Sequence, residues 1–278
     1  MIDCSIIIVS YNTEALTLQC LDSIFRYSYE PYTIEVIVVD NASKDNSVQL
    51  IQEKFPQCTL IVNKENTGFA RANNQAIIRS TGRTVLLLNS DTIVLENSIK
   101  CTIDYLLTHK QAGMVGCRLY YPGMKHQPSI SRLPTLYHMF NEYLRSRITN
   151  CYPEDAYKST QSVECIIGAF MLVSREALSN VGLLDERYFM NSEDVDWCKR
   201  FREKGYQIHY IADTAIIHIA GGSISRHPLW MKLELHKNRV KYFYFNHSLL
   251  HAIVAFLILA IWLPKQIIVS SIKKMVKQ

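Results

Sequence analysis

Asp40, Asn66, Asp91 and His218 each stand just after an apolar run, and Glu193 and Asp194 follow the short apolar stretch Tyr188-Phe189-Met190. In an open α/β sheet, ligands sit outside the carboxyl ends of the strands, so a side chain placed there is rigidly held yet open to a cleft. The clearest case is Val85-Leu86-Leu87-Leu88-Asn89-Ser90-Asp91-Thr92. Its apolar half reads as a strand buried on both faces. The carboxylate that ends it suits a hard divalent cation, and the cation suits a diphosphate. The structural alternative for Asp91 is a turn, or a cap for a helix beginning near Glu96. A crevice with a metal ligand at Asp91, a nucleotide-contacting acid at Asp40 and a candidate base at Asp194 would suit transfer from a nucleotide-activated donor.

Several chemistries are excluded. The sequence has no Walker A loop, no GxGxxG and no HExxH, so P-loop kinases, Rossmann dehydrogenases and zincin hydrolases are unsupported. The net charge of +5 is too modest for a nucleic-acid binder. Eight cysteines are scattered, never as CxxC, and most lie within apolar runs. They read as buried, reduced thiols. Met1-Ile2-Asp3 lacks a basic leader and runs straight into a strand, which predicts a cytosolic location.

The elements that must position these residues alternate. Apolar runs at 5–10, 34–39, 59–62 and 85–88 read as strands. Between them lie helices from Glu14 to about Tyr27, from Ser43 or Asp45 to Phe55, and from about Ala70 to Ser80, where Gly82 ends the helix. Asn12 or Thr13 is the expected first cap, and Ser43 or Asp45 the second. Strands alternating with helices mean βαβ units and a parallel sheet. A helix near 98–109, a strand at 114–119, one strand across 163–174 and two at 207–211 and 214–219 follow. Ser192 is expected to cap a helix from Glu193 to Gly205, with Glu193, Asp194 and Asp196 in its first turn. Residues 120–160 carry four prolines and little pattern, as a long functional loop would. Gly168-Ala169 lies within a strand, where small residues often mark a close approach.

From Leu249 to Leu263 the chain is almost wholly apolar, with lysines interleaved among apolar residues beyond it. That run is shorter than the roughly 20 residues of a spanning helix. The lysine-bearing part beyond it reads as an amphipathic helix lying on an anionic membrane; a core helix docked on the domain is the structural alternative for the segment.

In order, the chain contains Ser5-Ile-Ile-Ile-Val-Ser-Tyr-Asn12, Val38-Val-Asp-Asn-Ala-Ser43, Asn66-Thr-Gly-Phe-Ala70, Leu88-Asn-Ser-Asp91, Gly168-Ala-Phe-Met171 and Asn191-Ser-Glu-Asp-Val-Asp196. Together, over about residues 4–225, these stretches resemble the family 2 inverting glycosyltransferases of the rhamnosyltransferase-like branch. The resemblance implies an α/β GT-A fold, with a mostly parallel central sheet flanked by helices; the C-terminal helical tail that associates with membranes is read from the sequence beyond it. Residues 1–120 would bind nucleotide, 121–225 would bind acceptor, and 226–278 would form the tail. It further implies that Asp40 reads the donor's pyrimidine and that Ser10, Tyr11 and Asn12 line the nucleotide pocket. Asn66 would touch base or diphosphate, with Arg71, Asn89 and Ser90 also on the donor side. Asp91 is the retained acid of a DxD-type motif whose first acid is here Asn89. His218 would be a second ligand to Mn2+ or Mg2+. Asp194 would be the general base, with Glu193 raising its pKa or orienting the acceptor. The partners implied are a dTDP- or UDP-sugar and a lipid-linked saccharide at the cytoplasmic face of the cell membrane. Transfer of rhamnose is expected first, and of galactose, N-acetylglucosamine or mannose as the alternative. A non-catalytic nucleotide-sugar-binding subunit would have no need of Asp91, Glu193, Asp194 and His218 together. A nucleotidyltransferase would want more cations near Asn66 than Arg71 alone.

Overall fold

A computed structural model describes residues 1–220 and 228–275, with side chains described for all of these except 228–232 and 264–275. Continuous apolar runs become the central strands. These are β1 (Cys4–Ser10), β2 (Ile34–Asp40), β3 (Thr59–Val62), β4 (Thr84–Asn89), β5 (Thr92–Val94), β6 (Ala112–Tyr121) and the short β7 (Lys125–Gln127) and β8 (Ile130–Ser131). Later come β9 (Gln161–Val163), β10 (Cys165–Ile166), β11 (Phe170–Ser174) and β12 (Gln207–His218). The main sheet runs β3-β2-β1-β4-β11-β6-β12-β5. Strands β3, β2, β1 and β4 are mutually parallel, as are β6 and β12, while β11 and β5 run against their neighbours. One rim of this sheet therefore collects the ends of β1, β2, β4 and β12 and the start of β11.

Alternate residues of each strand enter opposite layers. Ile7 joins one core, with Ala72 and Ala76 of α3 (Phe69–Arg79) and Trp197 and Phe201 of α7 (Glu193–Glu203). Ile6 and Ile8 join the other, with Leu21 and Ile24 of α1 (Glu14–Phe25), Ile51 of α2 (Ser47–Lys54) and Ile103 of α4 (Ser98–Thr108). Burying one such side chain is worth roughly 1.5–3 kcal/mol, so these layers fix the register of the strand ends. The first core also takes Ala177 and Leu178 of α6 (Arg175–Val181).

The insertion at 120–160 is more regular than its prolines suggest. It holds β7, β8, helix α5 (Leu136–Arg145) and a 3-10 turn (Glu154–Lys158). Thr135 caps α5 through its hydroxyl, which accepts from the His138 amide at 3.1 Å. Helices α8 (Pro228–Asn246) and α9 (Leu249–Met275) close the chain. A third core joins them to α5 through Met139, Tyr143, Tyr188, Tyr242, Phe243, Ala255 and Ile258. Docking does not cover α9: Leu249, Leu250, Ile253, Phe256, Leu257 and Ile261 remain exposed. No helix among the described residues is long and apolar enough to cross a membrane. Gly221-Gly222-Ser223, which follows the last apolar run in the sequence, lies outside the described residues, as do the side chains of the lysines beyond Leu263.

Several expected boundaries move. The expected single strand at 163–174 breaks into three, and the two at 207–219 merge into β12 with a register shift between Ile211 and Ala215. Helix α3 ends at Arg79, before Gly82. Gly82 instead lies where a Cβ would fall 2.6 Å from the Ser5 amide nitrogen. The expected caps divide. Asp45 accepts from the Ser47 amide and hydroxyl at the start of α2, from one residue before the cap position at Asn46. Thr13 and Ser192 occupy cap positions without making capping bonds. All eight cysteines are free, but Cys101 and Cys151, which stand among polar neighbours rather than in apolar runs, are exposed, contrary to the expected burial.

Candidate active site

The rim of the sheet opens on a cavity of about 290 Å3. Asp91 and His218 stand on one side of it. They are brought together because β5 folds back to pair with β12, which sets Thr92 against His218, and because the Ile219 amide donates to the Asp91 carbonyl at 2.9 Å. Nε2 of His218 lies 3.3 Å from Oδ1 of Asp91 and 3.4 Å from the Asn89 side-chain nitrogen. Nδ1 of His218 is buried with no hydrogen-bond partner among the described residues. The Asp91–His218 spacing fits a shared cation: two donors on adjacent vertices of an octahedral ion, each at roughly 2.1 Å, sit about 3 Å apart. Among the described residues no group of three or more acids, histidines or cysteines could hold a metal. Such an ion would take its other ligands from phosphate oxygens and water.

Glu193 and Asp194 face the same cavity from the first turn of α7. Asn191 (φ 69°) and Ser192 (φ 78°) precede them in left-handed conformation. Backbone of this kind costs about 1–3 kcal/mol per residue and persists only when its surroundings enforce it. Here the enforcement comes from α8. The side-chain amide of Asn238 donates to the Met190 carbonyl at 2.8 Å, Lys241 donates to the Arg187 carbonyl at 2.7 Å, and Asn246 donates to Asp196 at 2.8 Å. Asp196 also pairs with Arg200 at 2.8 Å, so of the three acids it is the structural one.

Asp194 accepts from the Gly168 amide at 3.0 Å and from its neighbour Val195 at 2.8 Å. Burial raises its pKa, and those amides oppose the rise. Glu193 is raised well above the ordinary glutamate value, by burial first and by the Asp194 charge second. Its Oε2 has no hydrogen-bond partner among the described residues. The influence thus runs opposite to expectation: the Asp194 charge adds to the rise of Glu193, and burial, not Glu193, lifts Asp194. A carboxylate lifted in this way is a stronger base near neutrality.

The donor-side expectations divide. Tyr11, Asn66, Asn89, Ser90 and Asp91 line the cavity, whereas Ser10, Asn12, Asp40 and Arg71 do not. Ser10 bonds Thr17 in the core at 2.9 Å, and Asn12 accepts from the Lys44 amide at 2.7 Å. Arg71 points along the surface toward Glu186 at 3.9 Å, an exposed pair of little energetic weight. Asp40 is fully buried and closes its own turn by accepting from the Ser43 amide at 2.9 Å; its Oδ2 is buried without a partner among the described residues.

Asn41, missed from sequence, is the hub of the donor loop. Its side-chain oxygen accepts from Asn63 and from the Thr67 amide, and its nitrogen donates to Asn66 at 2.9 Å and to the Gly68 carbonyl. Its place directly after the strand-ending Asp40 is the only signal it left. Gly68 joins the two sides of the site. It has φ 85°, and a Cβ there would fall 2.4 Å from the Phe189 carbonyl oxygen, which also accepts from the Phe69 amide at 2.7 Å.

Comparison with known proteins agrees with this fold. The family profile described as Glycosyl transferase family 2 matches residues 5–182. An N-acetylglucosaminyl-diphospho-decaprenol L-rhamnosyltransferase of Mycobacterium tuberculosis is 26% identical over 233 residues, covering 77% of this chain and 76% of the relative. The rhamnosyltransferase WbbL of Escherichia coli K12 is 28% identical over 162 residues, covering 55% and 61%. Among solved structures, the mannosyltransferase PcManGT of Pyrobaculum calidifontis, in complex with GDP-Man and Mn2+, superposes with a TM-score of 0.60 at 20% identity, covering 87% of this chain and 63% of that one. GalNAc-T7 with UDP, GalNAc and Mn2+ gives 0.61 at 13% identity, covering 78% and 44%. At these identities the structural likeness is one of fold, and the fold is GT-A.

Proposed function

The chain belongs to glycosyl transferase family 2, and from that premise we propose that it moves a sugar, with inversion, from a nucleoside-diphosphate donor to a hydroxyl of a lipid-linked saccharide. The observation that carries this reading is the facing of two pairs across one cavity, Asp91 with His218 and Glu193 with Asp194. Rhamnose is the favoured sugar, because the relatives named above are rhamnosyltransferases. The acceptor class follows from the diphospho-decaprenol in the name of the mycobacterial relative.

Asp91 and His218 would hold a divalent cation. Bound there, the cation would neutralise the charge that develops on the departing nucleoside diphosphate. Among the described lining residues there is no Lys or Arg to do so. Asn66, fixed by Asn41, would meet the base or diphosphate. Asp40 would read the pyrimidine's N–H through its Oδ2, which has no hydrogen-bond partner among the described residues, once donor binding opens the wall that now buries it. Asp194 would take the proton of the attacking hydroxyl, which then bonds to the anomeric carbon from the face opposite the leaving group. One base is sufficient, and no covalent sugar–enzyme intermediate is required. Protonated Glu193 would donate a hydrogen bond into the site.

The exposed apolar row on α9 supports attachment to the cytoplasmic face of a membrane. Sedimentation with anionic vesicles tests this; protein that stays in the supernatant overturns it. The reaction is tested by release of nucleoside diphosphate from a panel of dTDP-, UDP- and GDP-sugars, with Mn2+, with Mg2+ and with EDTA. One donor is expected to be consumed above the rest, and EDTA to abolish its turnover. Release from none of them overturns the reading. Turnover insensitive to EDTA removes the cation from it.

A further inference from the structure

We propose that a second cavity, walled by α5 and α8, seats the terminal sugar of the acceptor, and that Glu142 and Arg239 read its hydroxyls. The proposal rests on the transferase reading, because the sugar must present its hydroxyl to Asp194.

The cavity measures about 320 Å3. That is the lower end of the roughly 300–1,000 Å3 spanned by small-ligand sites, suited to a sugar head group and too small for a polyprenyl chain. Ile167, Asn191 and Asp194 line both this cavity and the donor cavity. Of the ionisable side chains among the described residues lining either, Asp194 alone lines both. A base that takes a proton from one substrate so that it can attack another must touch both compartments, and Asp194 does. The left-handed residues Asn191 and Ser192 line the second cavity too. Strained backbone clusters where position matters to function.

The wall chemistry suits a neutral polyol. Nη1 of Arg239 lies 2.8 Å from Oε1 of Glu142, with the two side chains 29% and 31% exposed. Arg239 also donates to the Tyr143 hydroxyl and lies over the Tyr143 ring, 5.1 Å from its centroid. The pair is internally neutral and half open. Its remaining N–H donors and carboxylate lone pairs can serve adjacent hydroxyls, one donating and one accepting. Met139, Tyr242 and Phe243 offer apolar surface to the C–H face of the ring. A phosphate placed here would meet Glu142 and Asp194, so the acceptor's diphosphate belongs outside. The lipid then falls to the exposed apolar side chains of α5 (Tyr137, Phe140) and α9. In the transfer the acceptor oxygen gives its proton to Asp194 and bonds to the anomeric carbon. The bond from that carbon to the diphosphate oxygen breaks, its electron pair leaving with the nucleotide.

The test measures acceptor and donor KM separately in the full chain. It uses the donor consumed by the wild type and undecaprenyl-diphosphate carrying N-acetylglucosamine, N-acetylgalactosamine or glucose. Leu235→Trp, which fills the cavity from a half-buried position, should raise acceptor KM about tenfold or more while donor KM moves less than about twofold. Arg239→Gln and Glu142→Gln should behave alike, and Arg239→Lys should restore only part of the loss, since lysine lacks the fork. A wild type that consumes donor, combined with an unmoved acceptor KM in Leu235→Trp and Arg239→Gln, overturns the sugar seat alone. Donor consumption with transfer to none of the three acceptors overturns it as well. No donor consumption by the wild type overturns the transferase reading, and the seat with it.

Discussion

The donor side and the acid side of the site are built by different means. On the donor side, Asn89, Ser90 and Asp91 follow directly from β4, a strand whose neighbours β1 and β11 fix it on both edges. Position there is inherited from the sheet, and a few residues of sequence suffice to define it. On the acid side, Glu193 and Asp194 sit behind two left-handed residues in a loop that no strand anchors. Their position is imposed from α8, about 45 residues further on, through Asn238, Lys241 and Asn246. The lesson is that the more demanding placement, that of the proposed base against a reacting hydroxyl, is delegated to long-range hydrogen bonds, while the sheet does the simpler work of presenting a charge. Gly68 and Phe189 are where the two schemes touch.

Substitutions separate the two. The largest effect is expected from Asp194→Asn, which removes the base. Transfer should fall by roughly 10²–10⁴-fold while nucleotide binding, measured by titration, survives. Near-normal turnover would remove Asp194 from that role. Gly68→Ala should come next, because it injures both sides at once: its Cβ must displace the Phe189 carbonyl, and its backbone is left-handed. A loss of about 2–4 kcal/mol in urea unfolding is expected, with donor affinity and turnover both reduced. Asn238→Leu should be milder and one-sided. It removes the hydrogen bond to Met190, at about 1–3 kcal/mol for the carbonyl left unpaired, and should lower kcat with little change in donor affinity. If donor affinity falls as much as kcat, the two sides are not separately supported.

The smallest effect is expected from Glu193→Gln. Burial and the Asp194 charge both push the Glu193 carboxyl toward its neutral form, which an amide matches in charge and shape, so turnover should fall by no more than about tenfold. The pH dependence follows from the same directions. Transfer needs Asp194 ionised, so the acid limb of kcat should lie above the ordinary aspartate range near 4. Stability moves the other way. Both acids bind protons more tightly folded than unfolded, so their contribution is full below about pH 4 and is lost as pH rises through their raised values. An acid limb at the ordinary aspartate value would remove the burial effect on Asp194.

Legibility in the sequence follows the same division. The strands of the donor half were legible because a run such as Leu86-Leu87-Leu88, buried on both faces, can scarcely be anything else. Asp91 and His218 were legible as residues ending such runs. Helix α5 was not, because the surrounding prolines hid a ten-residue helix that Thr135 caps. Asn41 and Asn238 were not, because an amide whose partners lie 25 or 48 residues away leaves no periodic trace. Asp40, Ser10 and Asn12 were placed by motif in the pocket, yet their local bonds turn them into its backing. Two helix caps failed for local reasons: the Thr13 hydroxyl bonds those of Ser10, Thr17 and Ser90, and Ser192 stands in left-handed backbone.

The grip of α8 on the acid loop bears on how this chain could be shortened for crystallisation or display. A fragment ended near residue 225, where the family motifs stop, would keep Asp91, Glu193, Asp194 and every described strand yet release the loop that aims the proposed base. A fragment ended in the turn at His247–Ser248 keeps all three of those hydrogen bonds and sheds the apolar outer helix, at the expense of uncovering Tyr143 and Phe243, which polar replacements on α5 and α8 could then tolerate.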